Sequence, residues 1–400
     1  MNKKFVQSKR NHHFCRLTEK LAGNMKRVLR LAIIAAFVTP AAIFAQQDPY
    51  YTHFTFNKVL LNPAYAGASG SFCLNAITHQ QWRGLEDQTG AKKTQSGLPV
   101  TDNFTKNIAP KTTGFAFYAP INIAKKGGEE NETVNYGGVY LGFINDVVAY
   151  EKNTYLRGGV AGAYPLADGS SIRLGVDFVS LTKELDGGEM RAHDLNDPRI
   201  PTGKVGATHT TFGAGIYYQN PNMNNFYVGL SSSHIKPQQY QYGTGSQNIQ
   251  IQTARHFYLM SGMKIENFMG NPALTLDPAL LVKTVNEIGL VKPQLDLQGM
   301  VTWNNLYAGG INVRAYGLGV DALSLMLGYY PPIKGNSNDP NANQTLRVGY
   351  SYDITLQSLR RSSSGTHELQ VNYCFRIKLP EKIYVPYRHP RYMQRQPDNE

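Results

Sequence analysis

Beyond Ala45 the chain contains no apolar run approaching the roughly 18 residues of a membrane-crossing helix, yet its apolar residues recur with a period of two. In SIRLGVDFVS, Ile172, Leu174, Val176 and Phe178 share one face, with Arg173, Gly175 and Asp177 on the other. HTTFGAGIYYQ repeats the pattern with Phe212, Ala214, Ile216 and Tyr218. PQLDLQGMVTW sets Leu295, Leu297, Val301 and Trp303 against Gln294, Asp296, Gln298 and Thr302. LRVGYSYDITL sets Leu346, Val348, Tyr350, Tyr352, Ile354 and Leu356 against Arg347, Gly349, Ser351 and Asp353. Successive side chains of a strand point to opposite faces, so each stretch predicts a strand with one greasy face and one polar or small face. Weaker alternation marks strands near 72–82, 112–119, 135–148, 153–165, 225–232, 254–266, 273–283, 305–314, 316–330 and 365–376. The total is about 14, each near ~10 residues, the length of a tilted membrane-spanning strand.

A soluble sandwich alternates equally well, so the choice of a closed barrel rests on further features. Gly 38, Tyr 25 and Phe 17 accompany only 17% charged residues, against roughly 25% in an average domain. The polar faces are rich in Gly and small residues, as a crowded lumen allows, and Tyr or Phe recurs at strand ends, as an interfacial belt would. PLADGSS and TWNNL are short connections. RGLEDQTGAKKTQSGLPVTDNFTKNIAPK, TKELDGGEMRAHDLNDPRIPTGKVGATH and PPIKGNSNDPNANQ are long and polar, which predicts short turns at one end and long loops at the other. The last alternation, HELQVNYCF, sets Leu369, Val371, Tyr373 and Phe375 against Glu368, Gln370, Asn372 and Cys374, and ends on an aromatic residue as a closing strand would. The expectation is an all-β, antiparallel transmembrane barrel of about 14 strands over residues 72–376.

The N-terminus accounts for most of the formal charge of +12. Lys26, Arg27 and Arg30 precede an apolar core from Leu31 to Phe44 and Ala45 at a cleavage position, the layout of a secretory signal peptide. Residues 1–45 read as lead and signal peptide, with Met25 as an alternative start; Cys15 lies upstream of the apolar core and is no lipoprotein cysteine. Without these residues 31 basic face 27 acidic ones, and Arg376 to Glu400 holds six of the basic residues against three acids. The body is nearly neutral, which removes the basis for a nucleic-acid reading.

The segment QQDPYYTHFTFNKVLLNPAYAG, Gln46 to Gly67, is too aromatic for a linker and too interrupted for a helix. It resembles the N-terminal signature of the PorP/SprF family, outer membrane proteins of the type IX secretion and gliding machinery. HQQWRGL (His79 to Leu85), SSSHIKP, ARHFYLMSGMK, DPALLVK, YSYDI and HELQVNY follow in the family order, so the resemblance spans about Gln46 to Pro380. The resemblance implies a barrel without enzymatic activity, placed in the outer membrane of a Gram-negative bacterium. It would be linked to periplasmic or peptidoglycan-tethering components of the machine, or to export and surface retention of a cargo adhesin through that adhesin's C-terminal domain. The alternative is a passive channel for small hydrophobic molecules.

Residues 46–71 are expected to form a plug-like lead into the first strand, with Tyr50, Tyr51, Phe54 and Phe56 buried against lumen side chains. Within it Asn62 and Pro63 form a turn that aims the chain upward, and Tyr65 and Gly67 complete the signature. In a closed barrel the first strand pairs with the last, so Cys73 and Cys374 become neighbours across the seam, in a compartment that permits a disulfide. Lumen-facing Arg157, Arg173, Asp177, Asp296, Arg347, Asp353 and Glu368 are expected to pair with one another rather than line a conduit. Residues 377–400 contain Pro380, Pro386, Pro390 and Pro397 and should run extended into the periplasm, beside the N-terminus. Tyr384, Tyr387, Arg388, His389, Arg391 and Tyr392 are candidates for docking a partner there.

Catalytic signals are poor. SGMK (Ser261 to Lys264) has S-x-x-K spacing but sits on an alternating strand without companion motifs. His79, His193, His209, His234, His256, His367 and His389 are dispersed, without H-x-x-x-H or H-E-x-x-H spacing. No enzyme, cofactor or metal site is expected.

Overall fold

The structure, a computed structural model, describes residues 48–87, 106–124, 133–190, 200–242, 249–286, 293–317, 319–333, 344–356 and 358–376. Fourteen of the strands among these residues form the wall. They are β1 (Phe72–Gln80), β2 (Lys111–Ala124), β3 (Thr133–Val148), β4 (Glu151–Pro165), β5 (Ser171–Asp186), β6 (Lys204–Asn220) and β7 (Phe226–Ser233). The second half comprises β8 (Arg255–Gly262), β9 (Leu274–Asn286), β10 (Gln294–Trp303), β11 (Tyr307–Tyr316), β12 (Gly319–Tyr329), β13 (Thr345–Thr355) and β14 (Thr366–Phe375). Each pairs antiparallel with its sequence neighbours, and β1 pairs with β14 from Phe72↔Phe375 to Gln80↔His367, which closes the sheet. Closure leaves no free sheet edge, the condition a lipid environment sets on main-chain polar groups.

The period-two pattern sorts side chains as the chemistry requires. In β5, Ile172, Leu174, Val176 and Phe178 are exposed on the outer surface, while Arg173 and Asp177 between them are buried inside. We call the end carrying Phe72 and Phe375 the near end, and the opposite one the far end. At near-end strand termini Trp303 stacks on Tyr307, whose ring lies tilted against Tyr329, and Phe72 stacks on Phe375 at the seam. Exposed aromatic rings at that level match an interfacial girdle.

One expectation about loops needs correction. The connections β1–β2 and β5–β6 lie at the far end, but the long stretch between β12 and β13 falls at the near end with the short turns. The far end in turn has two-residue turns between β3 and β4 and between β11 and β12. Strand parity fixes the side of a connection, and length does not. Two small ribbons, Glu86–Asp87 with Lys106–Asn107 and Gln239–Tyr242 with Ile249–Gln252, extend the far end.

Candidate functional site: the threaded lumen

Residues 48–71 run through the barrel from the far end to the near end. Asp48 lies among residues at the far ends of β7, β8 and β9, and Ser71 immediately precedes Phe72 at the near end. Asp48 therefore sits at the opposite end from Phe375, against the expectation that the N-terminus and the tail emerge together. Two short helical turns punctuate the path: α1 (Lys58–Leu61) and a 3-10 turn, Pro63–Tyr65. Asn62 caps the second through its side-chain oxygen, which accepts from the Ala64 N–H at 2.9 Å, and Pro63 follows at the position where a missing N–H costs nothing. Its amide nitrogen donates outward to the Ile216 carbonyl (3.0 Å) and the Leu230 carbonyl (3.4 Å). Asn62 and Pro63 thus lock the segment to the wall, a role different from the expected upward turn. The reversal into β1 comes later, at Gly67 and Gly70, both in the left-handed region (φ 74° and 66°). A Cβ on Gly67 would meet the Gly137 carbonyl oxygen at 2.3 Å, so the main chain here lies directly on the wall.

The far half of the segment is held by charge. Glu368 accepts the Thr52 and His53 N–H groups (2.8 and 2.7 Å) and contacts Nδ1 of both His53 and His79 at 2.8 Å. Arg314 donates to Asp296 at 2.8 Å and Asp353 at 3.1 Å, and its guanidinium lies 3.9 Å from the centre of the Tyr50 ring. Thr52 donates to the same Asp353 carboxylate at 2.8 Å. Lower down, Arg157 bridges the Leu60 carbonyl (2.6 Å) and Asp177 (2.7 Å), and Arg173 donates to the carbonyls of Ala64 (3.2 Å) and Ala66 (2.7 Å). Such charge-assisted bonds to otherwise orphaned carbonyls are the strong kind, and they let an irregular main chain sit buried.

Of the expected lumen charges, Arg157 with Asp177 form an ion pair, and Asp296, Asp353 and Glu368 meet Arg314, His53 and His79. Arg173 and Arg347 depart from the pairing expectation: Arg173 serves segment carbonyls, and Arg347 has its guanidinium 5.5 Å from the Tyr330 ring centre. Arg314, Asp48, His53, His79 and His256 were absent from the sequence-derived set of lumen charges. The inward phase of the alternation marks His79, His256 and Arg314, but nothing local ties Asp48 or His53 to them. Phe54 and Tyr51 are buried, and Phe56 and Tyr65 are half-buried. Cys73 faces Cys374 in the β1–β14 register, and a disulfide joins them with a Cα–Cα distance of 4.1 Å. Tyr384, Tyr387, Arg388, His389, Arg391 and Tyr392 lie outside the described residues, as does the signal-peptide region.

Asp48, His234 and His256 place their donor atoms within 4.8 Å of one another, the spacing of a metal site. The donors are already engaged. The Asp48 carboxylate accepts from Ser233 Oγ (2.8 Å) and Tyr258 OH (3.0 Å) and meets His234 Nε2 at 2.9 Å; the Asp48 N–H donates to His256 Nε2 at 3.1 Å. The cluster is built as a clasp for the segment.

The near half is open. A cavity of about 1060 Å³ is roofed by Thr55, Phe56 and Lys58 and walled by near-end residues of β7, β9, β10 and β13. Lys58 points its ammonium at the Tyr227 ring, 3.6 Å from the centre, with Tyr65 at 5.5 Å.

Solved structures similar to this chain align with it at low sequence identity. A Pseudomonas aeruginosa FadL homologue aligns at 10% identity, over 76% of this chain and 89% of its own, with a TM-score of 0.42. The Ralstonia pickettii toluene transporter TbuX aligns at 13%, over 80% and 94%, with 0.43. The translocator domain of the Neisseria meningitidis autotransporter NalP aligns at 12%, over 82% and 96%, with 0.37. No curated protein matches. The family described as type IX secretion system membrane protein PorP/SprF matches residues 43–373, nearly the whole barrel and its threaded segment. The chain belongs to the PorP/SprF family.

Proposed function

We propose that this protein is a non-enzymatic scaffold of the type IX secretion machinery, seated in the outer membrane with its near end in the periplasm. There it anchors periplasmic components, or supports export and surface retention of a cargo adhesin. The observation that carries the reading is the occupied lumen. Residues 48–71 are fixed to the wall at the far end by Asp48, in the middle by Arg157 and Asn62, and at the near end by close main-chain contact at Gly67. An interior committed to holding its own chain supports a structural role over passive conduction of small hydrophobic molecules. The tail beyond Phe375 leaves from the periplasmic face and supplies a second docking element.

The test is genetic and electrical together. Loss of the protein should stop export of a type IX cargo, and the full chain should restore it. In planar bilayers the purified barrel should remain nearly silent, while deletion of residues 48–66 should produce steady conductance. Export that continues without the protein would overturn the scaffold reading, as would uptake of hydrophobic solutes by the intact barrel in liposomes. Truncation after Arg376 should leave the barrel assembled and reduce export; unchanged export would retire the tail as a docking element.

A further inference from the structure

We infer that the near-end vestibule is a docking socket for an acidic peptide segment of a protein partner. The inference rests on the scaffold reading and specifies the chemistry of one contact. Four of its lining side chains are cations, Lys58, Lys264, Arg347 and Arg376, and Asp277 is the single carboxylate among them. Elsewhere in the lumen Arg157 faces Asp177, Lys183 faces Glu151, Arg314 faces two carboxylates, and Arg173 is held by the Ala64 and Ala66 carbonyls. In the vestibule, among the described residues, Lys58, Arg347 and Arg376 make no ion pair. Lys264 alone reaches an acid, Glu266 at 3.4 Å, in an exposed pair of little energetic weight. A concave, low-dielectric mouth carrying one sign of charge focuses its field on an incoming group of the opposite sign.

The size and the remaining lining choose among anions. At about 1060 Å³ the space stands at the upper limit of small-molecule pockets, roughly 300–1,000 Å³. Met263, Met300, Leu306 and Tyr330 lie between the charges, an adaptable apolar surface for side chains of a peptide. The cations are spread from the roof, Lys58, to the first residue after β14, Arg376, so several separated carboxylates match them better than one head group. The chain's own tail is a poor occupant: residues 377–400 carry five basic and three acidic side chains. Because Thr55, Phe56 and Lys58 form the roof, whatever fills the vestibule touches the threaded segment directly.

The experiment uses the full barrel in detergent and a fluorescein-labelled octapeptide of alternating Glu and Leu, read by anisotropy, with an alternating Lys and Leu peptide and laurate as comparison probes. The acidic peptide should bind saturably and lose about ten-fold in affinity between 50 and 300 mM salt, because exposed charge attraction is screened over that range. Lys58→Gln with Arg347→Gln should weaken it by about ten-fold or more, the scale on which removing buried charge partners acts. Lys264→Gln should change it less than about three-fold, since that ammonium is already paired at an exposed site. Heat-modifiable electrophoretic mobility confirms that each variant is a folded barrel. Equal binding by wild type and the double variant, or binding of laurate but not of the acidic peptide, overturns the inference. Export lost in the double variant without any peptide binding by the wild type also overturns it and leaves the scaffold reading standing. Peptide binding with unchanged export in the double variant supports the socket and counts against the scaffold reading.

Discussion

The far and near halves of the lumen share one wall and one threaded segment, yet they treat charge in opposite ways. In the far half Glu368, Asp296, Asp353 and Asp48 each meet a cation, an imidazole or an N–H of the segment, and the cavity that remains is about 110 Å³. In the near half the space is about ten times larger, and cations outnumber carboxylates four to one. Buried ionic groups are tolerated where each is answered, and each of these far-half carboxylates has a partner. The near-half cations lack such partners, and α1 marks the boundary. One end grips the segment; the other is left to receive something.

The comparison breaks most readily at Arg314. Arg314→Leu leaves Asp296 and Asp353 buried beside each other without their shared cation, and breaking a buried pair this way costs roughly 3–5 kcal/mol. We expect the variant barrel to lose its heat-resistant mobility at a clearly lower temperature, whereas Arg347→Leu in the near half should barely move it. Equal losses would show that the halves do not differ. Next in size is Gly175→Val. A Cβ there would lie 2.3 Å from the Ala64 nitrogen and 2.5 Å from the Pro63 carbonyl carbon, which only displacement of the segment can relieve. Overpacking of this kind costs roughly 1–3 kcal/mol, and limited proteolysis should then cut within residues 48–66 while the wall survives. A smaller effect is expected from Asn62→Ala, which removes the cap on the 3-10 turn and two bonds to wall carbonyls. A loss of about 1–2 kcal/mol by urea unfolding fits one cap and an unsatisfied buried carbonyl.

What the sequence discloses follows the same division between wall and interior. Alternation in β5, β10 and β13 depends on nearest neighbours along one strand, so it is readable without knowing what pairs with what. The β1–β14 seam is readable as well, because closure forces Phe72 beside Phe375 once the strands are counted. The far-half clasp has no such local rule. Asp48 meets residues about 185 to 235 positions away, and Glu368 meets the segment across more than 300, through a main chain that is neither helix nor strand. Arg173 shows the limit well. Its inward position follows from the alternation, but its partners are carbonyls of Ala64 and Ala66, and no pattern of side-chain charge announces a carbonyl.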